Sequence, residues 1–353
     1  MNIYWSDTAK RLEPYVPGEQ PQDRKYIKLN TNENPYQPSP KVLEAIKNAA
    51  GEGLRLYPDP DCNVLKETIA QYYGLEKDQV FVGNGSDEIL AFAFLTFFNP
   101  GSAILFPDVT YSFYPVYCGL YGIDYKTVPL DESFSIPVES FFQGNGGIVI
   151  ANPNAPTGKY MDIESIRKIL EHNSKSVVII DEAYIDFGGE SSIKLIKEYP
   201  NLLVIQTLSK SRSLAGLRVG FAAGNRGLIE GLNRVKNSFN SYTLDRLAIV
   251  GAIEAIKDEA YFRETRKKVI RTRERVSAGL ADMGFDVVDS MANFIFISHP
   301  RVYAYDIFQK LKKQGILVRY FNKPRIDNFL RVTIGTDREM DTFLEVVKNI
   351  VSR

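Results

Sequence analysis

Short runs of apolar residues, rich in Val, Ile, Leu and Phe, alternate with amphipathic stretches along the first two thirds of the chain. The runs are typical of buried β-strands, whereas apolar residues that recur every three or four positions indicate helices. Residues 162–171, for example, place Ile163, Ile166, Ile169 and Leu170 on one face of a helix. Strands are predicted at residues 80–82, 103–106, 124–128, 147–151, 176–180, 202–206 and 218–223.

Seven apolar strands separated by helices predict an α/β fold with a mostly parallel seven-stranded sheet covered by helices. After about residue 240 the pattern changes to long helices, over 245–256 and 259–283, followed by short strands and further helices. This change indicates a smaller α+β domain. We expect an N-terminal arm and part of the small domain in 1–52, the large domain in 53–243, and the small domain with a bridging helix in 244–353.

Four polar motifs each follow a predicted strand directly. In parallel sheets of this kind, ligands bind at the carboxyl ends of the strands, so the four motifs are expected to form one site. The first of them is rich in glycine and opens a helix, whose free N–H groups and positive dipole end favour an anion. The motifs occupy residues 83–88, 152–158, 181–184 and 207–212.

Composition excludes several classes of protein. Lys plus Arg and Asp plus Glu number 43 each, which gives no general attraction to nucleic acid or to an anionic membrane. No run approaches 18 apolar residues, and residues 1–7 lack the pattern of a signal peptide. Two cysteines, Cys62 and Cys118, are not a disulfide framework and favour a reducing cytoplasm. The chain has only two histidines, His172 and His299, which argues against a histidine-based metal site or a Ser-His-Asp triad.

The candidate chemistry centres on Lys210, which follows a strand and precedes Arg218 by eight residues. A lysine amine can bond covalently to a carbonyl, and an arginine can hold an anion. Asp181 ends an apolar strand and needs a cationic or hydrogen-bonding partner there. Taken alone, Lys210 fits a solvated surface lysine equally well, and Asn154 fits an ordinary turn. Together the motifs supply what pyridoxal phosphate needs for its phosphate, its aldehyde and its ring nitrogen.

Three motifs, Asn-Pro-Asn-Ala-Pro-Thr-Gly at 152–158, Asp-Glu-Ala-Tyr at 181–184 and the lysine segment 207–218, resemble those of a known superfamily. They are similar to the fold type I, aspartate-aminotransferase-like enzymes that depend on pyridoxal phosphate. Within that superfamily the chain is most similar to the histidinol-phosphate aminotransferases. The segments that carry this closer similarity are 29–36, 57–59, 83–88, 315–319 and 330–336.

The resemblance implies roles for residues around the cofactor ring. Lys210 would bond to the cofactor aldehyde, and once freed by the substrate it would move a proton as general base and acid. Asp181 would pair with the pyridinium nitrogen. Tyr184 and Asn154 would bond the oxygen of the ring hydroxyl, and Tyr111 would stack on the ring.

The resemblance also implies how the phosphate of the cofactor is held. The start of a helix would bind it together with a serine and an arginine from the lysine segment. A tyrosine from the neighbouring subunit would complete the site, which requires a homodimer. The residues in these positions are Ser86, Asp87, Ser209, Arg218 and, from the neighbouring subunit, Tyr57.

Substrate anions are the next feature that the resemblance implies. Arg331 matches the arginine that binds the carboxylate of glutamate, and Arg319 fits the phosphate of histidinol phosphate, since a planar bidentate donor suits both groups. Tyr15 on the N-terminal arm matches a tyrosine on the substrate side. The alternative for both arginines is a surface or interdomain salt bridge.

Two positions depart from the family pattern. Ala155 stands where many relatives have a second asparagine, and we expect Asn154 to be the functional one. Arg212 adds charge close to the lysine and could be mistaken for Arg218 in its role.

The leading hypothesis is transfer of an amino group between histidinol phosphate and 2-oxoglutarate, a step of histidine biosynthesis. The alternatives on the same scaffold are an aromatic amino acid aminotransferase and a threonine-phosphate decarboxylase. A non-catalytic protein of this fold is disfavoured because Lys210 and Asp181 are both present. A Rossmann dehydrogenase is disfavoured because no Gly-x-Gly-x-x-Gly motif opens a helix.

Overall fold

The computed structural model describes residues 3–352. Within this range the strands are β1 (Ile27–Lys28), β2 (Val80–Asn84), β3 (Ile104–Pro107), β4 (Tyr125–Val128), β5 (Ile148–Ala151), β6 (Val178–Asp181), β7 (Leu202–Thr207), β8 (Val219–Gly224), β9 (Asp286–Val288), β10 (Phe294–Ser298), β11 (Ile316–Leu317), β12 (Arg319–Tyr320) and β13 (Leu330–Thr333). The α-helices are α1 (Asp7–Arg11), α2 (Pro40–Ala49), α3 (Asn63–Tyr73), α4 (Gly85–Phe97), α5 (Tyr114–Tyr121), α6 (Ile163–His172), α7 (Arg226–Phe239), α8 (Arg246–Lys257), α9 (Glu259–Asp282), α10 (Ala304–Lys313) and α11 (Asp337–Val351).

The large domain is built on a seven-stranded sheet with the order β2-β8-β7-β6-β5-β3-β4. Strand β8 runs antiparallel to both of its neighbours, and the remaining pairs are parallel. The predicted α/β class and mostly parallel seven-stranded sheet are therefore confirmed.

Successive strand residues point to opposite faces of this sheet, and each face is covered by helices. Val178 and Ile180 pack into a core with α3, α6 and α8. The intervening residue, Ile179, packs into a second core with α4, α5 and α7. Because β6 is buried on both faces, its residues read as a continuous apolar run rather than an alternating one.

The small domain contains a four-stranded sheet, β12-β13-β10-β9, and a parallel pair of β1 with β11. Its core is covered by α9, α10 and α11, and it includes Leu29 from the N-terminal part of the chain. Helix α8 lies elsewhere, since Ala248, Ala252 and Ile256 join the core of the large domain. The structure thus places α8, which follows the boundary predicted at residue 243, with the large sheet.

Helix α9 bridges the two domains through one buried cation. The guanidinium of Arg273 donates to the carbonyl oxygens of Phe187 at 2.8 Å and of Ala292 at 2.9 Å. Phe187 follows β6 of the large sheet, whereas Ala292 precedes β10 of the small one. Within residues 3–352, none of the helices combines the length and the apolar character needed to cross a membrane.

Replacing Arg273 with methionine should lower the free energy of unfolding by about 1.5 to 3 kcal/mol, because hydrogen bonds from a charged donor are lost and two carbonyls remain buried. Urea denaturation followed by circular dichroism measures this change. Arg271→Met, at an exposed position of the same helix, should change it by about 0.5 kcal/mol or less. Equal losses in the two variants would contradict a special role for Arg273.

Candidate active site

A cavity of about 420 Å³ lies at the carboxyl ends of β5, β6 and β7, beside the first turn of α4. All four strand-end motifs contribute to its wall, as the sequence predicted. Their lining residues are Ser86, Asp87, Ala155, Asp181, Ala183, Tyr184, Thr207, Ser209 and Lys210.

Lys210 lies in this cavity, just beyond the end of β7. Its Nζ donates to the carbonyl oxygen of Thr31 at 3.2 Å. Burial lowers the pKa of Lys210 to about 8, and the nearby guanidinium of Arg331 acts in the same direction. The amine is therefore much closer to neutral at physiological pH than an ordinary lysine.

Asp181 is the last residue of β6 and lies almost fully buried. One carboxylate oxygen accepts from the hydroxyl of Tyr114 at 2.9 Å, and the other accepts from the N–H of Ala183 at 3.3 Å. Burial raises the pKa of Asp181 to about 6, although both hydrogen bonds act against it. Neither of these two partners carries a positive charge, so the site favours a cation at this carboxylate.

The first turn of α4 lies at one end of the cavity, where the free N–H groups and the dipole of a helix start favour an anion. Asp87 accepts hydrogen bonds from the hydroxyl of Tyr111 at 2.9 Å and from the guanidinium of Arg218 at 3.2 Å. A Cβ at Gly85 would lie 2.6 Å from this guanidinium, and a Cβ at Gly220 would lie 2.7 Å from the backbone of the same turn. Both glycines therefore allow the strand carrying Arg218 to approach the helix start.

Asn154 is not among the residues that line the cavity, and its contact with the ring hydroxyl of the cofactor stays a prediction. Its amide group donates to the carbonyl of Val109 at 2.9 Å and to the hydroxyl of Thr157 at 3.0 Å. Its oxygen accepts from the hydroxyl of Thr110 at 3.0 Å. These bonds satisfy the fully buried amide through residues 109–110 and its own turn, and the neighbouring Ala155 lines the cavity instead.

Arg319 and Arg331 lie directly opposite each other on β12 and β13, and both line the cavity. Arg331 donates to the carbonyl of Asn30 at 3.0 Å, and its buried Nε has no hydrogen-bond partner among residues 3–352. Arg319 donates only to backbone carbonyls, those of Pro17 and Val16. In the described part of the chain neither arginine pairs with a carboxylate, so both are available to an anionic ligand.

The two other predicted tyrosines lie in different places. Tyr15 lines the cavity and stacks on Phe113, with ring centroids 4.7 Å apart. Tyr57 lies outside the cavity, is 79% exposed and stacks on Tyr242 at 4.6 Å. One chain alone therefore does not bring Tyr57 to the site.

Arg212 does not line the cavity, and its contacts are structural. It is buried, donates to the carbonyl of Ala255 at 2.7 Å and lies over the ring of Phe262 at 3.6 Å. These contacts attach the lysine segment to α8 and α9, and they separate Arg212 from the position of Arg218.

Sequence reasoning missed three residues of the site. Tyr114 is the first residue of α5, three residues after the predicted Tyr111, and this nearness is the signal that could have found it. Thr31 and Asn32 also line the cavity, but they follow no predicted strand of the large sheet. Among residues 3–352, no group of three or more His, Cys, Asp and Glu side chains could hold a metal ion.

Comparison with known proteins agrees with this geometry. Residues 24–347 match the family model "Aminotransferase class I and II". A histidinol-phosphate aminotransferase of Clostridium acetobutylicum is 62% identical over 352 residues, and the match covers 100% of both chains. One of Clostridium beijerinckii is 59% identical, with 100% of this chain and 98% of that protein covered.

A solved structure shows the same fold. It is a histidinol-phosphate aminotransferase of Sinorhizobium meliloti in complex with pyridoxal 5'-phosphate, which is 23% identical. The match has a TM-score of 0.91 and covers 100% of this chain and 98% of that one. From the family model and the two clostridial relatives it follows that the chain belongs to the class I and II aminotransferase family, and within it to the histidinol-phosphate aminotransferases.

Proposed function

We propose that this protein transfers an amino group between L-histidinol phosphate and 2-oxoglutarate in histidine biosynthesis, with pyridoxal 5'-phosphate as its cofactor. The observation that carries the proposal is the composition of a single cavity. A desolvated lysine, a buried aspartate, the start of a helix and two arginines line it, and within residues 3–352 neither arginine pairs with a carboxylate. Relatives of the same name, 59–62% identical over the full chain, support the choice of substrate.

The residues of the cavity fit the cofactor group by group. Asp181 has only neutral partners, so a protonated ring nitrogen would supply the missing positive charge. Lys210 offers an amine whose pKa is about 8 and which can attack an aldehyde once it is neutral. The start of α4 with Ser86, and Arg218 beside it, would hold the phosphate.

Each residue then has a definite task. When bound, the cofactor withdraws electrons from the carbon that bears the substrate amine. Asp181 keeps the ring nitrogen protonated. Lys210 takes the proton from the substrate carbon and returns it to the cofactor side as general base and acid. Tyr184 would donate a hydrogen bond to the ring oxygen, and Tyr111 would pack against the ring.

Arg319 and Arg331 would bind the anionic end of either substrate. Histidinol phosphate carries a phosphate and 2-oxoglutarate carries carboxylates, and a guanidinium can donate two parallel hydrogen bonds to each. Their positions on adjacent strands allow both to contact one phosphate dianion. Tyr15 would close the substrate side of the cavity.

A homodimer would complete the site. A cluster of large apolar side chains is exposed around Tyr57, which favours a protein contact there. In a dimer this face would bring Tyr57 to the phosphate in the neighbouring chain. The members of the cluster are Leu54, Leu56, Tyr57 and Tyr242.

We also propose that the protein works in a reducing cytoplasm. Cys62 and Cys118 are both free and buried. Burial raises the pKa of Cys62 to about 11 and that of Cys118 to about 12, so both remain thiols at neutral pH.

The rate at which the cofactor attaches to the apoprotein should rise with pH through a midpoint near 8. Burial lowers the pKa of Lys210 to about 8, and only the neutral amine attacks an aldehyde, so the reactive fraction grows as pH rises past that value. Stopped-flow absorbance after mixing measures the rate. Borohydride should then fix the cofactor to the peptide containing Lys210, and Lys210→Ala should take up no covalent label.

A label on another lysine would disprove this site assignment. If the attachment rate instead rose with a midpoint near pH 10.5, the ordinary pKa of a lysine, Lys210 would not be desolvated.

Arg331→Ala should reduce kcat/KM about 10- to 100-fold for both histidinol phosphate and glutamate, since a charged hydrogen-bonding partner of both is lost. Arg319→Ala should reduce it more for histidinol phosphate than for glutamate. A steady-state panel with these two donors and phenylalanine measures both effects and tests the aromatic alternative. Equal effects of Arg319→Ala on the two natural donors would contradict a phosphate role for Arg319.

Mixed dimers should test the contribution of Tyr57. If Tyr57 serves the neighbouring site, a Lys210→Ala chain paired with a Tyr57→Ala chain forms one complete site, because the first supplies Tyr57 and the second supplies Lys210. We therefore expect the mixture to regain activity that neither variant has alone. Failure to regain it, with dimers confirmed by light scattering, would place Tyr57 outside the neighbouring site.

A further inference from the structure

We propose that Asn32 is a positioning residue that turns the hydroxyl of Tyr184, so that this phenol donates its hydrogen into the cavity. The inference rests on the proposed function, because Tyr184 would direct that hydrogen to the ring oxygen of the cofactor. It assigns a task to a buried side chain that lines the cavity but contacts neither Lys210 nor Asp181 through a hydrogen bond.

The contact itself is direct. The side-chain nitrogen of Asn32 donates to the hydroxyl oxygen of Tyr184 at 3.0 Å. Within residues 3–352 this is the one hydrogen bond of that hydroxyl. A tyrosine hydroxyl has a single hydrogen, and its oxygen already accepts from Asn32, so the hydrogen is left for an acceptor in the cavity that Tyr184 lines.

Thr333 determines which end of the Asn32 amide faces Tyr184. The hydroxyl of Thr333 accepts from the backbone N–H of Asn32 at 2.9 Å and donates its hydrogen to the side-chain oxygen of Asn32 at 3.0 Å. Because the oxygen end of the amide is occupied by this donor, the nitrogen end must point to Tyr184. The hydrogen bonds therefore run in one direction, from Thr333 through Asn32 to the phenol.

The backbone holds Asn32 firmly in this position. Its φ of 56° lies in the left-handed region, which asparagine tolerates better than most residues. The side chain of Asn293 donates to the carbonyl of Asn32 at 2.9 Å, and Asn32 is only 1% exposed. The amide is thus fixed by the fold before any ligand binds.

Electrostatics support the same role. Burial raises the pKa of Tyr184, whereas the charge of Arg331 and the hydrogen bond from Asn32 act in the opposite direction. These two contributions make the phenol a stronger hydrogen-bond donor to a negative oxygen than burial alone would leave it. Since Asn154 is turned away and Ala155 has no polar group, Tyr184 is the member of the predicted pair that faces the cavity.

The test is a pH titration of the visible absorption band of the holoenzyme. In this transition a proton would be lost, and negative charge would grow on the ring oxygen to which Tyr184 would donate. Asn32→Gly keeps the left-handed backbone and removes the amide, so the midpoint should rise by about half to one pH unit. Tyr184→Phe should raise it further.

A double-mutant comparison shows whether Asn32 acts through Tyr184. In the Tyr184→Phe background, Asn32→Gly should produce no additional shift. A shift of the same size in both backgrounds would overturn the proposal, because Asn32 would then act without the phenol. An unchanged midpoint in Asn32→Gly alone would overturn it as well.

Thr333→Val provides a second variant that leaves Asn32 in place. It removes the hydroxyl that fixes the amide and should raise the midpoint by a smaller amount than Asn32→Gly. The matched control is Thr342→Val, at an exposed position of α11, which should leave the midpoint unchanged. A midpoint in Thr333→Val equal to that of the wild type would contradict the directional arrangement.

Borohydride labelling of each variant separates the two levels of inference. If wild-type protein carries no label at Lys210, the proposed function fails, and the role of Asn32 falls with it. If Lys210 is labelled in every variant but the pH midpoints of the variants equal that of the wild type, only the role of Asn32 is rejected.

Discussion

The whole site depends on the cost of burying charge at the ends of adjacent strands. Asp181 ends β6 and Lys210 follows β7, and burial shifts their pKa values in opposite directions, to about 6 and about 8. Each charged form is destabilised where it lies, because hydrogen bonds to neutral groups replace water only in part. A ligand that brings a cationic nitrogen to one group and an aldehyde to the other relieves both costs. Through these two residues the fold therefore favours binding of the cofactor that we propose.

Much of the fold could be predicted, because strands buried on both faces leave unmistakable apolar runs. The reversed direction of β8 could not, since an apolar run carries no information about direction. Helix α7 was not predicted, although Ile229, Leu232 and Val235 repeat at helical spacing. Helix α4 begins at Gly85, four residues before the apolar run at Ile89. Its first turn is polar because it faces the cavity, which is where the sequence signal for a helix is weakest.

The site shows where sequence reasoning stops. The convergence of four motifs was predictable, because parallel strands end at one edge. Which residue of a turn faces that edge was not, since Ala155 lines the cavity whereas the Asn154 amide is satisfied by hydrogen bonds with Val109, Thr110 and Thr157. Tyr57 illustrates a different limit. A residue that would serve a neighbouring chain does not line the cavity of its own, and only its exposed, apolar surroundings indicate a contact.

Strand β13 connects the two ends of the proposed chemistry. Arg331 and Thr333 are two residues apart, so their side chains lie on the same face of the strand. Arg331 is positioned for the substrate anion, and Thr333 fixes Asn32, which in turn contacts Tyr184 of the large domain. The main chain of residues 30–32 accepts hydrogen bonds from two side chains of the site, since Arg331 donates to the carbonyl of Asn30 and Lys210 donates to that of Thr31. A displacement of β13 would therefore change the anion site and the phenol together. In the proposed site, substrate binding and the electronic state of the cofactor would thus be linked through a single strand.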